Sequence, residues 1–397
     1  MKIAQINAVS YGSTGRIMFD LADTVIRRGG EAICTSGFTW KRTANKSWFM
    51  TSNIFEKTFH IHMAKLTGNN GSYSKLATAR LIKRLSKFNP DIVHLHNIHG
   101  WFLNLPMFFD YVKKNDIRVI WTLHDCWAFT GHCPHFAMIG CDKWKSECEN
   151  CPQYMEYPQC RFDDSKKLYH RKREWFTGVK NMTIITPSEW LAGLVKQSFL
   201  GEYPVEVINN GIDTEIFQPT ESNFRKEYGC EEKIVLLGVA YDWNIKKGID
   251  VFLDLAEQLD DRYRIVLVGT NDELDKRLPK NVISIHRTHD KREMAEIYTA
   301  ADIFLNPTRE DTYPTVNMEA ICCGTPVITF NTGGSPEIVK DGCGIVVESE
   351  KVEELCSAID LVLKSYSKFR ESCQKTAEEF SNSRFLGKYI KLYEESI

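Results

Sequence analysis

Residues 307–337 read PTREDTYPTVNMEAICCGTPVITFNTGGSPE. The apolar run before them, Ala301 to Asn306, stops at Pro307, the mark of a buried strand ended at its carboxyl edge. Pro314 suits a first helical turn, where a missing N–H costs nothing. Val316, Ala320 and Cys323 then recur at helical spacing until Gly324 stops the helix. Val327 to Phe330 is a second buried strand. Strand, acidic loop, helix and strand make a βαβ unit, in which ligands bind outside the carboxyl ends of the strands.

That arrangement exposes the amides of Thr315 and Val316 beside Pro314 at a helix N-terminus, where donors and dipole together favour an anion such as phosphate. Asp311 lies on the loop before the helix and Glu319 on the helix itself. Both can reach hydroxyls of a ligand whose phosphates sit on the amides, and carboxylates accept strongly from such hydroxyls. On their own the two acids would read as an N-terminal charge and a solvated side chain.

The order of these residues resembles the acid-x7-acid signature of glycosyltransferase family 4, including Glu319-Ala320, the run Cys323-Gly324-Thr325-Pro326-Val327 and Gly333-Gly334-Ser335-Pro336-Glu337. The resemblance is to the bacterial capsule and exopolysaccharide type, such as colanic acid enzymes. It implies an α/β chain of GT-B fold, with two doubly wound, parallel-sheet, Rossmann-like domains facing a cleft. It implies a retaining hexosyltransferase that needs no catalytic metal. A nucleotide diphosphate sugar would be the donor, and a saccharide or lipid-linked molecule the acceptor. In the family the first acid touches the donor sugar, the second the ribose, and the amides between them the diphosphate. Those roles fall on Asp311, Glu319 and Pro314 to Val316. Two departures stand out. The usual first acid is Glu, and here Asp311 reaches ~1.5 Å less, with Glu310 beside it but out of register. The family's Arg, six residues before a Lys-Gly pair, falls on Tyr241.

Composition agrees with an ordinary globular enzyme: 397 residues, 43% hydrophobic and 26% charged. That length exceeds what one core usually supports, so two domains are expected. A net charge of −2 argues against general nucleic-acid binding. No run approaches a membrane span and the first residues lack the apolar stretch of a leader, which points to the cytoplasm and to reduced thiols.

Earlier in the chain, strand Ile3 to Val9 runs into Tyr11-Gly12-Ser13-Thr14-Gly15-Arg16, and such a turn lets backbone approach a phosphate closely. It resembles the first glycine loop of GT-B enzymes, which places Gly12, Gly15 and Arg16 at the donor phosphates. There is no GxGxxG, which excludes a dinucleotide reading. The helix Ser74 to Phe88 buries Leu81, Leu85 and Phe88 and carries Lys75, Arg80, Lys83, Arg84 and Lys87. That charge set reads either as a solvated face or as a peripheral contact with an anionic membrane or diphosphate-lipid acceptor. His124 follows strand Arg118 to Leu123 and resembles the family histidine that contacts the donor sugar. After strand Ile234 to Val239, Lys246-Lys247-Gly248 leads into a helix, where lysines can neutralise a leaving diphosphate. No DxD occurs, which fits amides and lysines in place of a divalent cation.

The domains read as 1–202, then 203–375 for nucleotide sugar, with a terminal helix at 376–397 crossing back to the first domain. Residues 126–160 form an insertion holding six of the thirteen cysteines. Cys133, Cys141, Cys148 and Cys151 stand as C-x7-C-x6-C-x2-C, whose last pair suits a structural zinc. A redox-active Cys148–Cys151 pair, or thiols without a role, also fits this spacing. Rival functions are a sugar-nucleotide epimerase on the same architecture and a non-catalytic zinc-bearing interaction protein.

Overall fold

The computed structural model describes residues 1–40, 43–340, 342–348 and 350–397. Contacts divide the chain into two units, Met1–Asn209 with Leu386–Ile397, and Asn210–Phe385. In the first, the order is β1 (Lys2–Asn7), α1 (Gly12–Arg27), β2 (Glu31–Ser36), β3 (Trp48–Met50), α2 (Ile54–Thr67), α3 (Lys75–Phe88) and β4 (Ile92–Leu95). It continues with α4 (Leu105–Lys114), β5 (Arg118–Thr122), α5 (Ser165–Phe176), β6 (Met182–Thr186), α6 (Glu189–Gln197) and β7 (Val205–Val207).

The seven strands are all parallel, in the order β3-β2-β1-β4-β5-β6-β7. Strand order reverses between β1 and β4, so a ligand crevice is expected at their carboxyl ends. Buried strands read as continuous apolar runs because helices cover both faces. The covering helices are amphipathic: α1 buries Ile17, Met18, Leu21, Ala22 and Val25 along one face. Full burial of Leu21 or Val25 stabilises by about 1.5–3 kcal/mol each.

The second unit holds α7 (Phe224–Glu227), β8 (Ile234–Val239), α8 (Ile249–Gln258), β9 (Tyr263–Val268), α9 (Asp272–Asp275), β10 (Val282–Ile285) and α10 (Lys291–Ala300). β11 (Ile303–Asn306), α11 (Thr315–Cys322), β12 (Val327–Phe330), β13 (Gly344–Val347), α12 (Val352–Lys364) and α13 (Tyr366–Thr376) follow. Its six parallel strands run β10-β9-β8-β11-β12-β13, with the reversal between β8 and β11. The last helix, α14 (Asn382–Glu395), begins in this unit. Its later residues belong to the first, where Tyr389 and Tyr393 are buried against the sheet.

Two expectations change. The first unit runs to Asn209 rather than 202, because β7 hydrogen-bonds β6 and completes the first sheet. Phe88 is only half-buried, and Ala77, Thr78, Leu81 and Leu85 form the inner face of α3. The strands β2, β3 and β13 had no clear signal in the sequence. Among the described residues no helix is long and apolar enough to cross a membrane.

Candidate active site

The loops after β8 and β11 flank the switch point of the second sheet, and they are tied to each other. The Arg309 amide donates to the Lys246 carbonyl at 2.8 Å, and the Arg309 guanidinium forks onto Asp250 at 2.8 and 2.9 Å. It also pairs with Glu350 at 2.9 Å. Such a planar fork fixes geometry as well as charge. Lys247 Nζ lies 2.8 Å from Asp311 Oδ2, and Lys246 Nζ lies 3.2 Å from the buried Glu310. Glu310, out of register with the signature, therefore holds Lys246. Tyr241 projects into solvent, 93% exposed.

The N-cap residue of α11, Pro314, makes no side-chain cap hydrogen bond to the first-turn amides of Thr315 and Val316. One turn on, Glu319 accepts from the Tyr298 hydroxyl at 3.0 Å. Burial and the Glu319 charge hold the Tyr298 hydroxyl well above its ordinary value, so it stays a donor. Asp311 is fixed from two sides. Its Oδ1 accepts the Tyr313 amide at 3.2 Å, and its carbonyl accepts the Gly334 amide at 3.3 Å. Gly333 adopts φ +57°, and a Cβ there would stand 1.8 Å from the Asp311 carbonyl oxygen. The Gly333-Gly334 pair is thus the seat of the Asp311 loop. Lys246, Lys247, Asp311, Pro314, Thr315, Val316 and Glu319 all come from the two loops and helix at this switch point. Arg309 and Tyr298 escaped the sequence reading, since each works through a partner distant in sequence.

The remaining residues gather at the switch point of the first sheet. Asn7 Nδ2 donates to Thr14 Oγ1 and to the Val9 carbonyl, both at 3.0 Å, while its Oδ1 accepts the Asn97 amide at 3.2 Å. This side chain joins the β1 and β4 loops. Gly15 lies on the first turn of α1, where a Cβ would meet the Ser10 backbone at 2.7 Å. Gly12 opens the same helix, and Arg16 pairs with Asp20 at 3.4 Å.

His124 lies 3.1 Å from His96, whose other nitrogen meets Gln5 at 2.9 Å. His94 bridges Thr122 and Tyr393 of α14. Beside them a cavity of 10 Å³ is lined by His96, His99, His124 and Asp125. His99 contacts Asp125 at 3.0 Å with one nitrogen and the Tyr157 hydroxyl at 2.8 Å with the other. The sequence reading did not single out His99 or Tyr157. Burial alone would raise the Asp125 carboxyl, but the His99 charge and hydrogen bond and the Trp127 amide hold it down at about 2.

Burial sets the protonation of this histidine row. It lowers His124 to about 4 and, with the charge of His124, His94 to about 3. His96 is pushed well below its usual value by burial and by both neighbours. Their unfolded values are about 6.5, so unfolding takes up protons below that pH. This stability term is fully present above about pH 6.5 and is lost as pH falls toward the folded values. Each histidine contributes up to about 1.4 kcal/mol per pH unit in that window. Thermal melts at constant ionic strength should show a marked fall in Tm between about pH 7 and about pH 5. A flat or rising Tm would contradict three neutral buried imidazoles.

Two doubly wound parallel sheets, each bearing polar chemistry at its own switch point, make the GT-B architecture. The chain belongs to Glycosyltransferase Family 4, whose profile matches residues 15–216, and the profile of Glycosyl transferases group 1 matches residues 220–380. WcaC of Escherichia coli (strain K12), named for glycosyl transfer in colanic acid biosynthesis, is 27% identical over 317 residues. That alignment covers 77% of this chain and 76% of WcaC. The structure of Anabaena HepE in complex with UDP superposes with TM-score 0.69 at 15% identity, covering 100% of both chains. Sucrose-phosphate synthase from Thermosynechococcus elongatus gives 0.68 at 14% identity, covering 99% of this chain and 98% of that one.

Proposed function

We propose that the chain is a retaining hexosyltransferase that moves a sugar from a nucleotide diphosphate donor to an acceptor in cell-surface polysaccharide synthesis, with no catalytic metal. The observation that carries this reading is the Lys247–Asp311 pair beside the uncapped start of α11. The amides of Thr315 and Val316 take the diphosphate, aided by the helix dipole. Lys247, with Lys246 behind it, offsets the negative charge that grows on the leaving diphosphate. Asp311 orients the sugar. Glu319, aimed by Tyr298, takes the ribose hydroxyls. In the first unit His124, kept neutral by burial, supplies a hydrogen-bonding imidazole rather than a charge.

UDP-glucose is the first donor to test, because the HepE structures hold UDP and UDP-glucose. Turnover in EDTA with retention of the anomeric configuration, read by NMR of the product, is expected. Activity restored only by added magnesium or manganese would overturn the metal-independent step. Calorimetry tests the donor site directly. Glu319→Ala removes a charge-assisted acceptor worth roughly 1.5–3 kcal/mol, so affinity for the nucleotide should fall by about 10- to 100-fold. Unchanged affinity would remove the ribose assignment.

For the acceptor, an exposed stripe favours the lipid-linked class. Phe55, Phe59 and Leu66 project outward from α2 and Leu76 from α3, 81%, 58%, 48% and 72% exposed. Lys75, Lys83 and Lys87 lie exposed on α3. Apolar anchors with adjacent lysines suit an anionic bilayer surface. Co-sedimentation with phosphatidylglycerol vesicles that survives Phe55→Ser with Phe59→Ser would refute this contact.

A further inference from the structure

The cysteine-rich insertion is absorbed by none of this chemistry. We propose that Cys133, Cys141, Cys148 and Cys151 bind one structural zinc ion, and that this ion sets the segment carrying Tyr157 against His99.

Of the six cysteines between 126 and 160, these four line a single cavity of 20 Å³, together with His132, Phe136 and Trp144. That is room for one water-sized particle. Cys126 and Cys160 fall outside it, Cys160 turning its thiol to the Ala64 carbonyl. Cys133 and Cys151 are already hydrogen-bonded to each other through their side chains. The Gly131 amide donates to Cys148 Sγ at 3.1 Å, the kind of outer hydrogen bond that orients a metal-bound sulfur.

The C-x2-C turn is built to present two thiols together. Asn150 between them takes φ +47°, and Lys143 Nζ clamps the carbonyls of Glu149 at 2.9 Å and Asn150 at 3.3 Å. The Cys151 amide is anchored on Asp163 at 2.8 Å. A four-thiolate zinc site carries a net charge of −2 and needs cations nearby. Lys143, which lines the cavity, is one; Lys172, fully buried on α5 where burial lowers its ammonium to about 7, donates to the carbonyls of Trp127 at 2.7 Å and Thr130 at 3.0 Å. Those two carbonyls flank the approach to Gly131 and Cys133.

The segment has little regular structure of its own. Between β5 and α5 the only helical pieces are two three-residue 3-10 turns, Trp127–Phe129 and Lys143–Lys145. A metal bound by four thiolates would add folding free energy to the buried cluster of Trp127, Phe129, Phe136 and Trp144, releasing the thiol protons to solvent. In a closed site the sulfurs sit about 3.8 Å apart, given a zinc–sulfur bond of about 2.3 Å. Among the described residues the group with all ligand atoms within 4.8 Å is Asp272, Asp275 and His286. The four thiols therefore stand wider than a closed site, and the ion draws them inward.

The consequence reaches the His124 pocket. The insertion delivers the Tyr157 hydroxyl to His99, which in turn holds Asp125. Zinc in this place is a positioning element for that wall of the pocket.

The test is elemental analysis of the full chain, purified without a metal-binding tag or chelator. We expect close to one zinc per chain, a content below about one-tenth for Cys133→Ser or Cys148→Ser, and full content for His286→Ala. A wild-type content below about one-tenth, or a cysteine variant that keeps its zinc, overturns the proposal. Should the cysteine variants fail to fold, cobalt exchanged into the wild-type protein decides. Intense visible absorption from a tetrahedral thiolate site supports it, and the weak spectrum of an octahedral ion refutes it.

Discussion

Lys247→Ala is expected to lower kcat/KM with the nucleotide sugar by about 10²- to 10³-fold, the usual loss when one preorganised group facing developing charge is removed. The effect should sit mainly in kcat, because charge on the leaving diphosphate is greatest in the transition state. The structure sharpens this. Lys247 also neutralises Asp311 at 2.8 Å, so its loss leaves an unpaired acid beside the phosphates as well as removing a cation. Asp311→Ala on top of Lys247→Ala should therefore add less than Asp311→Ala does alone. Lys246→Ala provides the contrast. Its partner Glu310 has a side chain only 2% exposed, so removing Lys246 takes a cation from a buried carboxylate and should act first on thermal stability. Steady-state kinetics with melts of each variant distinguish the two lysines. A Lys247→Ala enzyme within about threefold of wild type would remove the leaving-group role.

These distinctions show what the sequence could and could not carry. The strands at Ile234–Val239 and Val327–Phe330 announce themselves as apolar runs, because parallel strands covered on both faces select apolar residues throughout. Edge strands do not. β3 is three half-buried residues, and β13 starts at Gly344, so neither has a pattern long enough to stand above its surroundings. β7 reads Val-Glu-Val, and only its pairing with β6 assigns it to the first sheet. That the acids and lysines of the second switch point cluster was legible because they lie close to a strand end and a helix start. Their supports were not, since Tyr298 reaches Glu319 from another helix and Arg309 reaches Asp250 across 59 residues. Likewise His99 meets Tyr157 across 58 residues. Partner choice at that range is a property of the folded chain, and no local spacing encodes it.

Gly333 shows how tightly such a partner can be specified. At φ +57° the residue is in the left-handed region, which costs a residue with a Cβ roughly 1–2 kcal/mol before any contact is considered. The contact is worse: a Cβ would stand 1.8 Å from the Asp311 carbonyl oxygen, and backbone on both sides leaves no flexible side chain to yield. Gly333→Ala must push the Asp311 loop away, breaking the 3.3 Å bond from the Gly334 amide to that carbonyl and disturbing the Thr332 hydroxyl bond to Thr308 at 2.6 Å. The sheet beneath does not depend on this loop, so the protein should fold with a lowered Tm. Asp311 and its Lys247 partner would then sit on the order of 1 Å from their working positions, and a displacement of that size costs about 100-fold in rate. We therefore expect activity down by about two orders of magnitude, with circular dichroism close to wild type. Gly334→Ala, whose neighbour keeps the left-handed turn, should lose much less. Equal activity in the Gly333→Ala and wild-type enzymes would mean that the position of Asp311 does not govern transfer.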